Sequence, residues 1–249
     1  MKDSVALITG ASTGIGHETA VLLGQKGAKV GIHYNKSREG AEAAARKIRE
    51  MGGMAEIFQA DVSRQDEVDA MVRDVREKLG EIDYLVGNAG SLIRRCPVAE
   101  ATGELWDEII GVNLSSIFYT CRAVLPGMIE RRKGAIVLVS SVAGRTGGGP
   151  GAVPYATAKG GVLCFTKGLA KEVVGYGVRV NGVAPGVIMT PFHERFSTPE
   201  ILEKFRRQIP LGRLGEPQEV ARVIVFLLSD EASYLVGETI EVNGGQLTD

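Results

Sequence analysis

The chain has 249 residues, 44% of them hydrophobic and 24% charged, which suits one globular α/β domain with a full core. Lys and Arg number 29 against 30 Asp and Glu, a net charge of -1, so the balance points to neither a nucleic-acid nor an acidic-membrane partner. Three widely spaced cysteines (Cys96, Cys121, Cys164) form no CxxC pair or metal spacing, as in a reduced cytosolic protein. Too few residues precede the first apolar run for a signal peptide, and no apolar run approaches the roughly 20 residues that span a bilayer. The expected location is the cytoplasm.

Apolar, β-branched runs alternate with helical patterns along the whole length. Strands are predicted at 4–9, 28–34, 55–60, 82–87, 134–140, 178–184 and 238–242. Helices are predicted at 14–26, 39–52, 64–79, 103–132, 153–175 and 217–229, with Gly27, Gly52-Gly53 and Gly80 as stop signals. Such alternation builds a parallel sheet covered by helices on both faces. No linker or repeat divides the chain. Residues 187–210 fit no strand and read as an insertion lying over the ligand crevice.

The first strand runs into Thr9-Gly10-Ala11-Ser12-Thr13-Gly14-Ile15-Gly16 and then a helix. Glycines let the backbone turn tightly and approach a ligand, and the unpaired N–H groups of a helix N-terminus favour a pyrophosphate. Glycine also marks ordinary strand-to-helix turns. The second strand ends in Asn35, Lys36, Ser37 and Arg38, and no Asp or Glu stands between Thr19 and Arg38. A fold that prefers NAD places an acidic residue there, on the ribose 2′-OH. Two cations and a hydroxyl suit a 2′-phosphate instead, which points to NADP(H) over NAD(H). The alternative is a solvated helix start. Asp61, before Val62 at the end of the third strand, can accept from an adenine amine or cap the next helix. Asn88-Ala89-Gly90 closes the fourth strand with small residues at an edge where ligands bind, or makes a tight turn.

Tyr155 and Lys159 stand four apart after Pro154 and so share a helix face. A free phenol titrates near about 10, and a neighbouring cation lowers that value by roughly 1–3. That suits proton exchange with a carbonyl or alcohol oxygen. Ser140-Ser141 ends the fifth strand upstream, and Asn113 lies in the long fourth helix. Trp106, Ile109 and Ile110 read as helix packing.

The glycine turn, Asn-Ala-Gly, Asn113, Ser141 and Tyr155-x-x-x-Lys159, in this order, resemble the short-chain dehydrogenase/reductase family. Matches continue through Val180-Asn181-Gly182-Val183-Ala184-Pro185-Gly186, Gly212-Arg213-Leu214-Gly215-Glu216-Pro217 and Gly237-Glu238-Thr239-Ile240-Glu241-Val242-Asn243-Gly244-Gly245. The resemblance implies one doubly wound, parallel, seven-stranded Rossmann domain over residues 1–249. It implies Tyr155 as acid/base and Lys159 as the group that lowers its pKa and holds the nicotinamide ribose. Ser141 would hydrogen-bond the substrate oxygen, and Asn113 would hold a relay water. Pro185, Gly186, Ile188 and Thr190 would position the nicotinamide, Asn88, Ala89 and Gly90 its ribose, and Asp61 and Val62 the adenine. It also implies a homotetramer paired through helices 103–132 and 153–175 and the last strand.

Three positions depart from the family pattern. Gly87 replaces an Asn, which predicts local loosening. The Ser141-to-Tyr155 spacing is one longer than usual, through the glycine-rich 145–151. Ser141 fits better than Ser140, because Val142-Ala143-Gly144 follows it. Thr13 stands where many NADP-preferring members carry Arg or Lys.

Among family members, 3-oxoacyl-[acyl-carrier-protein] reductases are the most similar overall. Of their two carrier-facing arginines, Arg132 matches one and Tyr176 occupies the other position. The stretch 189–196 resembles members that act on sugars or keto-sugar acids, the alternative substrate class. Arg195, or Arg94 and Arg95, would then pair with a carboxylate; each also reads as solvated surface charge. His193 reads as a loop residue. A non-catalytic nucleotide-binding protein is the other functional class.

Overall fold

The computed structural model describes residues 1–248, with the side chains of His193 and Glu194 outside the described set. Seven parallel strands form one sheet: β1 (Val5–Ile8), β2 (Lys29–Tyr34), β3 (Ala55–Gln59), β4 (Ile82–Gly87), β5 (Gly134–Val139), β6 (Val178–Pro185) and β7 (Thr239–Val242). Their order is β3-β2-β1-β4-β5-β6-β7. The order reverses between β1 and β4, which opens a crevice at their C-terminal ends.

Strand alternation divides the core in two. Ala6, Ile8, Val30 and Ile32 face α1 (Gly14–Gln25), α2 (Arg38–Glu50) and α10 (Pro217–Leu228). Val5, Leu7, Leu85, Ile136 and Val180 face α3 (Gln65–Leu79), α5 (Ser116–Glu130) and α7 (Val153–Val173). The helices answer with apolar stripes at helical spacing, such as Ala41, Ala44, Ala45 and Ile48 on α2. Gly27, Gly52 and Gly80 follow the first three helices with positive φ, as their stop-signal reading required.

Two segments differ from the sequence reading. The fourth helix is not continuous: α4 (Gly103–Ile110) passes through a π turn (Gly111–Ser115) before α5. The Asn113 amide donates to the Ile109 carbonyl at 2.9 Å and so satisfies a group in the wide turn. The whole stretch Gly103–Glu130 is long and apolar enough to cross a bilayer by length and composition, against the expectation from apolar runs. Here it lies on the sheet, burying Ile117, Cys121, Val124 and Met128 in the core beside β4 and β5.

Residues 187–210 hold two helices, α8 (Pro191–Phe196) and α9 (Pro199–Gln208), where no element was predicted. Both are short and α9 buries nothing, so their periodic signal is weak. The remaining helix, α6 (Ala143–Thr146), is a single turn after β5.

The first turn of α2 rests on the turn after β1. A Cβ at Gly40 would overlap the Ser12 carbonyl oxygen. Helix propensity alone predicts that Gly40→Ala stabilises by about 1 kcal/mol. The backbone contact predicts the reverse, a loss of about 1–3 kcal/mol in chemical denaturation. A stabilised variant would refute the contact.

Candidate active site

The turn after β1 is built by close backbone approach. Gly10 has φ +63 and Gly14 has φ +58, a region where a side chain is strained. A Cβ on Gly10 would lie 2.9 Å from the Ala89 Cα, and one on Gly16 would overlap the Gly10 carbonyl. Thr13 caps α1 without a side-chain bond, and no acidic residue occupies the first turn. The amides opening α1 are thus not engaged by these side chains, the condition a phosphate needs. Ile15 packs into the core on the α1 face.

The end of β4 is tied to this turn. Asn88 Nδ2 donates to the Thr9 and Gly10 carbonyls at 2.9 and 3.0 Å. Thr9 Oγ1 accepts from the Asn88 and Ala89 amides at 2.9 and 3.1 Å. Gly87 is not loose, contrary to the sequence expectation. A Cβ there would come within 2.7 Å of Ile117 and 2.8 Å of Leu138, so core side chains fill the space that the usual Asn would use.

Asn35, Lys36, Ser37 and Arg38 form an exposed rim at the end of β2. Arg38 reaches Glu42 at 3.6 Å with its side chain 72% exposed, a weak surface pair. Asp61 Oδ1 accepts from the Ser63 amide and hydroxyl at 2.9 and 2.6 Å, which makes a tight turn ahead of α3 and not the expected helix cap, since Arg64 occupies the N-cap position of α3. Val62 is buried. Across the crevice, Pro185 accepts from the Val142 amide at 3.0 Å, and a Cβ on Gly186 would press on Asn243. Ile188 bridges to Gly215. Thr190 sits over the turn, its Cγ2 within 3.0 Å of where a Cβ on Gly14 would be.

Ser141, Tyr155, Lys159 and Asn113 meet at the end of β5. Tyr155 is hydrogen-bonded to Ser141, while Ser140 Oγ donates to the Lys159 carbonyl at 2.7 Å and anchors α7. Lys159 is 3% exposed, and its Nζ donates to the Val139 carbonyl at 2.8 Å. It lies 5.9 Å from the Tyr155 ring centroid. Burial pushes the Tyr155 phenol up to about 12, against the lowering effect of Ser141. Burial pulls the Lys159 ammonium down to about 8. The sequence expectation that Lys159 lowers the phenol is therefore reversed here, because desolvation outweighs a cation turned toward a main-chain carbonyl. Asn113 is fully buried. Its Nδ2 donates to the Ser91 and Ile109 carbonyls, and its Oδ1 accepts from the Ser91 amide at 3.1 Å. Both amide hydrogens are committed, so the side chain fixes the loop after Gly90. A Cβ on Gly90 would sit 2.7 Å from Asn113 Oδ1 and 3.2 Å from Lys159 Nζ.

The open side of the site is lined by loops. Phe192 packs obliquely on Tyr155 at 5.9 Å and meets Phe196 edge-on at 5.0 Å. The Arg195 guanidinium lies 5.1 Å from the Phe196 ring. Arg95 donates to the Pro150 carbonyl at 3.1 Å, and Arg94 is exposed. His193, expected in a loop, lies in α8, and its side chain falls outside the described residues. Trp106 is 42% exposed, not packed as expected, because α4 turns Leu105 and Ile109 inward and leaves Trp106 on its outer face. Arg132 Nη2 donates to the Gly175 carbonyl at 2.9 Å, with Tyr176 exposed beside it. Thr9, His33 and Gly40 also shape the site. His33, a polar residue within the apolar run of β2, was the visible signal.

Comparison with known proteins gives one answer. A family model described as enoyl-(acyl carrier protein) reductase matches residues 10–246. The 3-oxoacyl-[acyl-carrier-protein] reductase of Thermotoga maritima is 43% identical over 98% of this chain and 98% of its own. That of Synechocystis is 42% identical over 98% and 96%. The crystal structure of levodione reductase superposes with a TM-score of 0.92 at 36% identity, covering 99% of this chain and 98% of its own. Full-length similarity at this level places the chain in the short-chain dehydrogenase/reductase family, as a nicotinamide-dependent oxidoreductase acting on alcohol and carbonyl groups.

Proposed function

We propose that the protein reduces a 3-oxoacyl thioester with NADPH. The observation that carries the reaction type is Tyr155, hydrogen-bonded to Ser141 at the crevice edge with the Lys159 ammonium 5.9 Å from its ring centroid. A phenol holds its proton at neutral pH and can pass it to a ketone oxygen; burial, which pushes Tyr155 up to about 12, works against that transfer, and the nearby Lys159 charge assists it. Ser141 orients the substrate carbonyl and Tyr155 protonates its oxygen. Lys159 holds the ribose and supplies positive charge. The bound nicotinamide supplies the hydride. Asn113 keeps the loop after Gly90 in place, and a water relay from this residue would use its main-chain carbonyl. Gly10, Ser12, Thr13, Gly14, Ile15 and Gly16 cradle the pyrophosphate. Asp61 and Val62 border the adenine, Asn88, Ala89 and Gly90 the ribose, and Pro185, Gly186, Ile188 and Thr190 the nicotinamide. Residues 187–210 act as the lid, with Phe192 closing over Tyr155.

The thioester assignment is supported by relatives named for that activity along the full chain, and they favour it over keto-sugar acids. Arg132 supplies part of a cationic face toward an acidic carrier. The NADP preference is supported by the exposed rim of Lys36, Ser37 and Arg38.

We also infer a homotetramer in the cytoplasm. Phe118 on α5, Val153 at the start of α7 and Val174 just past its end are exposed apolar groups on or beside the two long helices, and Tyr234 stands fully exposed before β7.

Purified protein should oxidise NADPH with an acetoacetyl thioester and not with a panel of keto-sugar acids. Tyr155→Phe should cut turnover about 100-fold or more while still binding NADPH. Turnover on sugar acids alone would overturn the substrate, and an active Tyr155→Phe the mechanism. Replacing Lys36 and Arg38 together by Ala should weaken NADPH about tenfold or more and leave NADH unchanged; equal effects on both would remove the 2′-phosphate assignment. Sedimentation should give a tetramer, and a monomer at micromolar concentration would refute the assembly.

A further inference from the structure

We propose that His33 is a positioning residue for the dinucleotide, its neutral imidazole clasping the glycine turn to the neighbouring strand. The inference rests on the dinucleotide occupying that turn. His33 is the penultimate residue of β2 and is 1% exposed. It makes three bonds to two different segments. Its main-chain carbonyl accepts from the Ala11 amide at 2.9 Å. Its ring Nδ1 is 2.9 Å from the Gly10 amide nitrogen, and its Nε2 is 3.0 Å from the Ala60 carbonyl oxygen.

The partners fix the ring's proton. A peptide N–H can only donate and a carbonyl can only accept. Nδ1 therefore carries the lone pair and Nε2 the hydrogen, so the ring is neutral. One imidazole thus spans from the pyrophosphate turn after β1 to the end of β3, where Asp61 begins the adenine side. Gly10 is the pivot of the turn, with φ +63 and the Ala89 backbone pressed against it. Fixing its amide fixes where the turn starts, and so where the amides opening α1 point.

A second proton on the ring would set Nδ1–H against the Gly10 N–H. Two donors at that separation cannot bond, and the turn must move or the proton must leave. Burial already pushes His33 below its ordinary value of 6.5. From the glycine turn, uncharged peptide groups face the ring. From the segment after β3, Asp61 is the charged group acting on it, and it favours the proton. Acid therefore works against the clasp: below the ordinary histidine range, affinity for the dinucleotide falls as the ring is forced to protonate.

Three substitutions separate the bonds. His33→Asn puts an amide oxygen where Nδ1 stands and cannot protonate. His33→Gln reaches toward the Nε2 position and keeps only the Ala60 bond. His33→Phe keeps the shape and neither bond. Dissociation constants for NADPH and NADH are read by calorimetry from about pH 8 to 5, with thermal melts to confirm folding. His33→Asn should bind within about threefold of the wild type at pH 8 and hold that affinity in acid, where the wild type weakens. His33→Gln should lose about tenfold or more, in the KM for the dinucleotide and not in kcat. NADH lacks the 2′-phosphate that itself titrates, so it carries the acid comparison. Should His33→Phe fail to fold, the Asn and Gln pair still decides. Equal binding by Asn and Gln variants would overturn the clasp, and parallel acid profiles for wild type and His33→Asn would overturn its titration. A wild type that binds neither dinucleotide would instead refute the cofactor reading.

Discussion

The backbone of one turn lies so close to its neighbours that side chains have no room in it, and the rest of the site is arranged around that approach. Gly16 faces the Gly10 carbonyl, Gly10 faces the Ala89 backbone, and Gly40 faces the Ser12 carbonyl. Each contact joins a different pair of elements: α1 to its own turn, the turn to β4, and α2 to the turn. Polar bonds then lock what the glycines allow. Thr9 and Asn88 bind the turn to β4, and His33 binds it to β2 and β3. The turn sits where the strand order reverses, so the sheet's topology and the proposed phosphate cradle are one feature.

The catalytic side carries the opposite kind of arrangement, a charge held in the core. Lys159 is buried and titrates near 8, whereas in the unfolded chain it holds its proton to about 10.5. Unfolding therefore takes up a proton between those values, so stability rises with pH across that window and the full cost stands below it. Such a cost persists where function uses it. The Val139 carbonyl and the Ser140 bond to the Lys159 carbonyl hold the residue in place regardless. Tyr155 carries the opposite shift, upward, so burial makes the phenol a weaker acid, and the proton delivery proposed for it works against that desolvation.

Much of this was legible in the sequence. The strands and most helices followed from alternation and glycine stops, since parallel strands buried on both faces read as plain apolar runs. The break at Gly111–Ser115 was not legible, because a π turn preserves helical composition and is marked only by where Asn113 sends its amide. Nor was the state of Tyr155. Spacing put a cation four residues from a phenol, but burial and the direction of the ammonium decided the sign, and neither is a property of spacing. The filled space at Gly87 was likewise a matter of what Ile117 and Leu138 do. His33 stood out as a polar residue in an apolar strand, yet its partners come from segments far away in sequence.

The two halves of the site differ in how they are built, and that explains why the cofactor side could be read and the substrate side only outlined. The cofactor side consists of strand ends and helix starts whose backbone geometry demands particular residues, so the residues announce the geometry. The substrate side is assembled from two loops and a short helix. Arg95 leans on Pro150, the Cys96 amide donates to the Gly151 carbonyl at 3.0 Å, and Phe192 reaches Tyr155 from a six-residue helix. Nothing in those contacts requires Arg, Cys or Phe by backbone necessity. Side chains there can change without disturbing the sheet, and the family's range of substrates is the expected consequence of a fixed hydride and proton apparatus beneath an exchangeable rim.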